Sequence, residues 1–193
     1  MQLISHRCNS INSILNIHST SWIEFDVSLS TLGNVVVCHD QEDRNNPSNP
    51  LFKDFIDDPS IGPKTFMVDI KAYGIVEAES LARKVLHFIA NSRSSHTWYI
   101  GSFNEYCVIE LASNKYIVHH PIKIGVISAG IPLGVFNHLN IDYAVLHYSS
   151  LSQDIVSRLH KNNIELYAYT VNSSYAKNLV RSLSIDGSIE DVN

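Results

Sequence analysis

Short apolar runs alternate with helix-spaced segments along 193 residues, eight strand starts can be counted, and acids, histidines and cations gather where the first strands end. Together these predict a compact, single-domain (β/α)8 TIM barrel of the α/β class spanning residues 1–193. Strands that alternate with helices pair in parallel through right-handed crossovers, and eight such units close the sheet on itself. The barrel would be lean, since about 250 residues is usual. An open doubly wound sheet is the alternative, but the chain lacks the GxGxxG turn that would favour it.

The elements follow in order. Leu3–Ser5 reads as a brief strand, and Ile11, Ile14, Leu15 and Ile17 give helical spacing over Asn9–Ile17. Trp22–Val27 is a strand that Val35–Cys38 extends or follows, and Phe66–Ile70 is the next. Ala78, Leu81, Ala82, Val85, Leu86 and Ile89 form one face of a helix over Val76–Ile89. Strands at Trp98–Ile100, Ile122–Ile127, Tyr143–His147, Leu166–Val171 and Ile185–Ile189 complete the set. Helices fall between them at Glu105–Ala112, Leu133–Leu139, Leu151–Lys161 and Tyr175–Leu183. The polar stretch 41–64 holds four of the six prolines and reads as a short loop insertion with one helical turn near Leu51–Ile56.

Composition narrows the function classes. A hydrophobic fraction of 45% with 17% charged residues is globular rather than disordered. A net charge of −5 without a dense Lys/Arg cluster argues against nucleic acid as a partner. Cys8, Cys38 and Cys107 are odd in number and scattered, which suits neither a disulfide framework nor a thiolate zinc site. The start at Gln2-Leu3-Ile4-Ser5 shows no leader, and no apolar run approaches ~20 residues. A cytoplasmic protein without stable membrane insertion is expected.

In such a barrel chemistry sits at the C-terminal strand ends. His6-Arg7 ends the first strand, Glu24 and Asp26 lie on the second, His39-Asp40 follows Val35–Cys38, and Asp69 and Lys71 end the third. Side chains two apart on a strand share a face, so Glu24 and Asp26 point together and Phe25 points away. Two inward carboxylates repel unless something positive lies between them. Three oxygen donors, with Asp69 the third, suit a hard divalent cation, Mg²⁺ or Ca²⁺. His6 and His39 can act as an acid/base pair near neutral pH. Arg7 offers a planar fork for phosphate oxygens, and Lys71 adds a point charge. His18, His87, His96, His138 and His160 are assigned to surface or packing, His119-His120 to a loop, and His147 can reach the rim.

These residues fall in ordered motifs over nearly the whole chain. His6-Arg7 with Asn9-Ser10 resembles an HR…NT opening, and Ile23-Glu24-Phe25-Asp26-Val27 an ExDV strand. Val36-Val37-Cys38-His39-Asp40 resembles VxxHD, and Val68-Asp69-Ile70-Lys71 an E-x-K strand. Gly101-Ser102-Phe103-Asn104, Tyr169-Thr170-Val171-Asn172 and Ile185 to Asp191 resemble the later SF, WTVN and DGIxTD segments. The set resembles the glycerophosphodiester phosphodiesterases, within the PLC-like phosphodiesterase superfamily. That resemblance implies a TIM barrel that hydrolyses small-molecule glycerophosphodiesters of lipid metabolism to an alcohol and glycerol 3-phosphate. It implies a divalent cation on Glu24, Asp26 and Asp69, acid/base roles for His6 and His39, and phosphate held by Arg7 and Lys71. Cys8 stands where the family has Gly and is expected to crowd the phosphate. Asp69 replaces Glu, as in the related spider-venom-type phospholipases D; Tyr169 replaces Trp, and Glu190 replaces Thr. Two other readings of the same residues are a lyase forming a cyclic phosphate and a barrel that binds without catalysis.

Overall fold

The computed structural model describes residues 1–17, 22–131 and 140–191. The described elements run β1 (Gln2–His6), α1 (Ile11–Leu15), β2 (Trp22–Leu29), β3 (Val35–Val37), α2 (Phe52–Ile56), β4 (Thr65–Lys71), α3 (Ile75–Asn91), β5 (Thr97–Ser102), α4 (Glu105–Asn114), β6 (Ile122–Ser128), β7 (Tyr143–His147), α5 (Gln153–Lys161), β8 (Glu165–Tyr169), α6 (Ser174–Ser182) and β9 (Gly187–Asp191). The sheet order is β1-β9-β8-β7-β6-β5-β4-β2, and β1 pairs with β2 to close it. All of these pairings are parallel, so the expected eight-stranded barrel is what forms. The Val35–Cys38 run forms a separate strand, β3, antiparallel to β2 outside the barrel wall.

Strand alternation divides the core into two. Outward residues such as Phe25, Phe66 and Trp98 pack under the helices, with Phe25 against Phe52, Phe55 and Phe66. Inward residues Ile4, Met67, Tyr99, Ile127, Tyr143, Val145, Tyr167 and Ile189 fill the barrel. At the N-terminal end Tyr99 and Tyr167 donate to Glu165, which pairs with Lys123. That plug leaves the opposite end free to carry a site.

The barrel admits the Tyr143 ring because the neighbouring strand is bare beside it, at Gly125. A Cβ added at Gly125 would lie 2.5 Å from the Tyr143 ring. Gly125→Ala is therefore expected to destabilise the fold by about 1–3 kcal/mol through overpacking, read as a lower denaturant midpoint at an unchanged slope.

Boundaries shift where polar residues set them. The first helix is shorter than Asn9–Ile17, since Ser10 caps it and forms a capping box with Ser13 while Asn9 is bound elsewhere. The eighth strand ends at Tyr169 rather than Val171, and the last runs Gly187–Asp191 rather than Ile185–Ile189. Glu190 and Asp191 extend the last strand by pairing with Ser5 and His6 on β1. The predicted face of α3 is buried as expected: Ala78, Leu81, Ala82, Val85, Leu86 and Ile89. Within 41–64, Phe52, Phe55, Ile56 and Ile61 are buried, so this stretch is anchored to the barrel wall. The Leu133–Leu139 helix, His18 and His138 lie outside the described residues.

Candidate active site

The C-terminal ends of β1, β2 and β4 and the loop after β3 converge on one pocket of about 230 Å³. Six of the seven predicted residues line it: His6, Arg7, Glu24, His39, Asp69 and Lys71. The seventh, Asp26, is buried beneath them and bonded to Lys71 at 3.1 Å. Met67, Phe103, Ile127, Val145, Tyr169 and Ile189 make the apolar wall.

β2 and β4 set the acids. Asp26 and Asp69 are direct register partners, and Glu24 lies two residues earlier on the same inward face. Ligand oxygens of Glu24, Asp26 and Asp69 all lie within 4.8 Å of one another. Burial, followed by the charges of Asp26 and Asp69, holds the Glu24 carboxyl well above the usual range. Burial likewise raises Asp69 to about 6, although Lys71 works against the shift. Burial opposes the charge on Lys71, but Asp69 and Asp26 more than offset it and keep the ammonium tightly protonated. Lys71 bonds one oxygen of Asp69, while Asp69 Oδ1 is buried without a hydrogen-bond partner. A stranded anionic oxygen beside two further buried carboxylates fits a hard divalent cation such as Mg²⁺ or Ca²⁺.

Neighbours fix each acid. Asn9 donates through Nδ2 to Asp26 Oδ2 at 3.1 Å, and its own Oδ1 accepts from the Asp26 backbone N–H at 3.0 Å. The Arg7 backbone N–H donates to Glu24 Oε2 at 2.7 Å. Arg7 reaches this position with φ +52°, a left-handed backbone that is uncommon outside Gly, Asn and Asp. Strain of this kind concentrates at functional sites.

The two histidines are built alike. His6 Nδ1 meets Asp191 Oδ1 at 2.5 Å, and His39 Nδ1 meets Asp40 Oδ1 at 2.6 Å. Both carboxyls lie below their usual range, chiefly because of these hydrogen bonds, so each Nδ1 is the donor. Each ring then turns Nε2 toward the site. His6 Nε2 lies 3.9 Å from Glu24 Oε2. His39 Nε2 accepts from Arg7 Nη2 at 2.7 Å.

Asp191, Asp40 and Asn9 were visible in the motifs but carried no assigned role. Asn172 donates to Asp191 Oδ2 at 2.6 Å and so orients the group that orients His6.

Cys8 does not crowd this pocket, contrary to expectation. Its Sγ is buried and lies 3.4 Å from the Ser5 carbonyl oxygen, within the outer core. Burial pushes its thiol up to about 12, with Glu24 and Asp26 adding to the effect, so the group is held as a thiol at neutral pH. His147 reaches the rim but packs against Tyr169 and Tyr148 rather than lining the pocket. His96 is buried, accepting from the Lys64 backbone N–H and contacting the Ile56 carbonyl, as packing requires. Among the described residues no helix is long and apolar enough to cross a membrane, and all three cysteines are free and buried.

No protein-family model and no curated protein matches the sequence. Solved structures do match in shape. A phosphodiesterase of Oleispira antarctica, in complex with the product sn-glycerol-3-phosphate, superposes with TM-score 0.78 at 17% identity, covering 98% of this chain and 92% of that one. A glycerophosphodiester phosphodiesterase from Parabacteroides distasonis gives 0.78 at 15% identity, with 98% and 92% covered. At these identities the likeness is one of fold, and the closed parallel barrel described above is the fold that this chain shares with both of these solved phosphodiesterases.

Proposed function

We propose that the chain is a metal-dependent phosphodiesterase that hydrolyses small-molecule glycerophosphodiesters to an alcohol and glycerol 3-phosphate. The carrying observation is that Glu24, Asp26 and Asp69 gather within 4.8 Å at the base of a pocket that also holds two carboxylate-backed histidines and two cations. One shape relative named a glycerophosphodiester phosphodiesterase, and a phosphodiesterase in complex with the product sn-glycerol-3-phosphate, support the choice of substrate.

A bound Mg²⁺ or Ca²⁺ on the three carboxylates supplies charge neutralisation at the phosphoryl oxygens. Arg7 and Lys71 hold the substrate phosphate, the guanidinium as a fork and the ammonium as a point charge. His39 Nε2, whose lone pair accepts from Arg7 in this structure, takes the proton of the attacking water once Arg7 turns to the phosphate. The water oxygen bonds to phosphorus as the bond to the alcohol oxygen breaks. His6, acting as the imidazolium with Nδ1–H on Asp191, gives its Nε2 proton to that leaving oxygen and is left neutral. The apolar wall from Phe103 to Tyr169 faces the carbon skeleton of the substrate and keeps bulk water from the reacting atoms.

Purified protein with Mg²⁺ or Ca²⁺ and glycerophosphocholine should release glycerol 3-phosphate, measured by a coupled dehydrogenase assay. No turnover over a panel of glycerophosphodiesters would sink the proposal. Phosphorus NMR of the same mixture should show no cyclic phosphate.

Lys71 gives a separate test. Lys71→Met removes both a phosphate contact and the partner of two buried acids. KM should rise by about 10–100-fold, the worth of one charge-assisted contact of about 1.5–3 kcal/mol. The metal-free protein should also lose thermal stability, because breaking a buried pair leaves charge uncompensated. Saturating divalent cation should restore part of that loss.

A further inference from the structure

One register row crosses the barrel wall at the level of the acids. Asp26 pairs with Asp69, Asp69 with Gly101, Gly101 with Gly125, and Gly125 with Tyr143. Laterally paired residues on parallel strands face the same way, so all five face inward. The two glycines leave a bare track between Tyr143 and Asp69. The Tyr143 ring lies along it: a Cβ at Gly125 would strike the ring at 2.5 Å, and one at Gly101 would lie 2.8 Å from the hydroxyl oxygen. The phenol thus reaches across β6 to β5, the strand next to Asp69. One strand spacing, about 4.8 Å, separates that column from the Asp69 column.

Both ends of the gap are polar and stranded. Tyr143 is fully buried, and its hydroxyl is without a hydrogen-bond partner; Asp69 Oδ1 is buried in the same condition. Buried polar atoms are satisfied in nearly all native proteins, by water where no side chain reaches. Two hydrogen bonds through one water span about the width of this gap. Burial, then the Asp69 charge, keep the phenol protonated, so its O–H is available to donate toward the carboxylate.

We infer that Tyr143 is a positioning residue for the acidic cluster, its hydroxyl donating through one enclosed water to Asp69 Oδ1 and so fixing the rotation of that carboxylate. The inference rests on the reading of Glu24, Asp26 and Asp69 as a cation site. Tyr143 touches neither substrate nor cation. Its effect is to hold one oxygen of Asp69 in place before the ion arrives, which reduces the reorganisation that binding requires. The cluster is pinned from three sides: Asn9 holds Asp26, the Arg7 backbone holds Glu24, and Tyr143 holds Asp69.

Tyr143→Phe removes the hydroxyl and keeps the ring, so the barrel core is preserved. Calorimetric titration with Mn²⁺ should show affinity at least about fivefold weaker than the parent. A double-mutant cycle with Asp69→Ala, run in chelator, gives a readout free of any metal. Tyr143→Phe should lower the Tm of the parent and leave that of Asp69→Ala unchanged. Additive Tm shifts overturn the inference whatever the metal does, and so does Mn²⁺ affinity equal to the parent's. A parent that binds no Mn²⁺ counts against the cation site alone, because the cycle still decides whether the two side chains are coupled.

Discussion

Asp69→Asn should abolish turnover, by at least about 10³-fold in kcat, while leaving the metal-free protein as stable as the parent or more so. A thousandfold loss corresponds to about 4 kcal/mol of transition-state stabilisation, the scale expected when a ligand to a charge-neutralising ion is lost. The stability expectation comes from the same geometry with the opposite sign. Asp69 is buried beside two other carboxylates and its carboxyl is raised to about 6, so the fold disfavours its charge at neutral pH. An amide of the same shape removes that charge and keeps an oxygen that can accept a hydrogen bond. Paired kinetics and thermal melts in chelator read both effects. A variant with parental activity would remove Asp69 from the machinery. A large loss of stability would mean that the cluster holds the fold together through Lys71 rather than waiting for an ion.

The second large effect separates the two histidines. His6→Ala and His39→Ala should each lower kcat by about 10²–10⁴-fold on a glycerophosphodiester with an alkyl alcohol, the range for loss of a positioned acid or base. A p-nitrophenyl phosphodiester needs little help in expelling its leaving group. His6→Ala should recover most of its activity on that substrate, while His39→Ala should not. Equal recovery by both variants, or by His39→Ala alone, would overturn the assignment of acid and base. Asp191→Asn should resemble a weaker His6→Ala, because the amide no longer fixes the tautomer that places Nε2 in the pocket.

The parts of this account that the chain's periodicity carries are those with short range. Alternation alone puts Glu24 and Asp26 inward and Phe25 outward, and Phe25 duly packs under α2. The counted strand units predict closure, and closure brings β1 beside β2 and β9. The partners of the histidines were harder to read. Asp191 reaches His6 across 185 residues only because the last strand pairs with the first, and no local pattern encodes that register. Cys8 misled for a related reason. Its place beside Arg7 in sequence suggested proximity to phosphate, but the left-handed turn at Arg7 sends the thiol into the core. The Tyr143–Gly125–Gly101–Asp69 row is likewise invisible until register is known, since it draws one residue from each of four separate strands.

On the proposed reading, three carboxylates on two neighbouring strands hold one divalent ion. A crystal soaked with Mn²⁺ and glycerol 3-phosphate, with anomalous diffraction recorded at the manganese edge, tests it most directly. A single anomalous peak is expected with Glu24, Asp26 and Asp69 oxygens within ~2.0–2.6 Å, the Lys71 ammonium withdrawn from Asp26 and Asp69, and the phosphate held by Arg7 and Lys71. An ion bound elsewhere, or no peak with Lys71 still seated between Asp26 and Asp69, would contradict it.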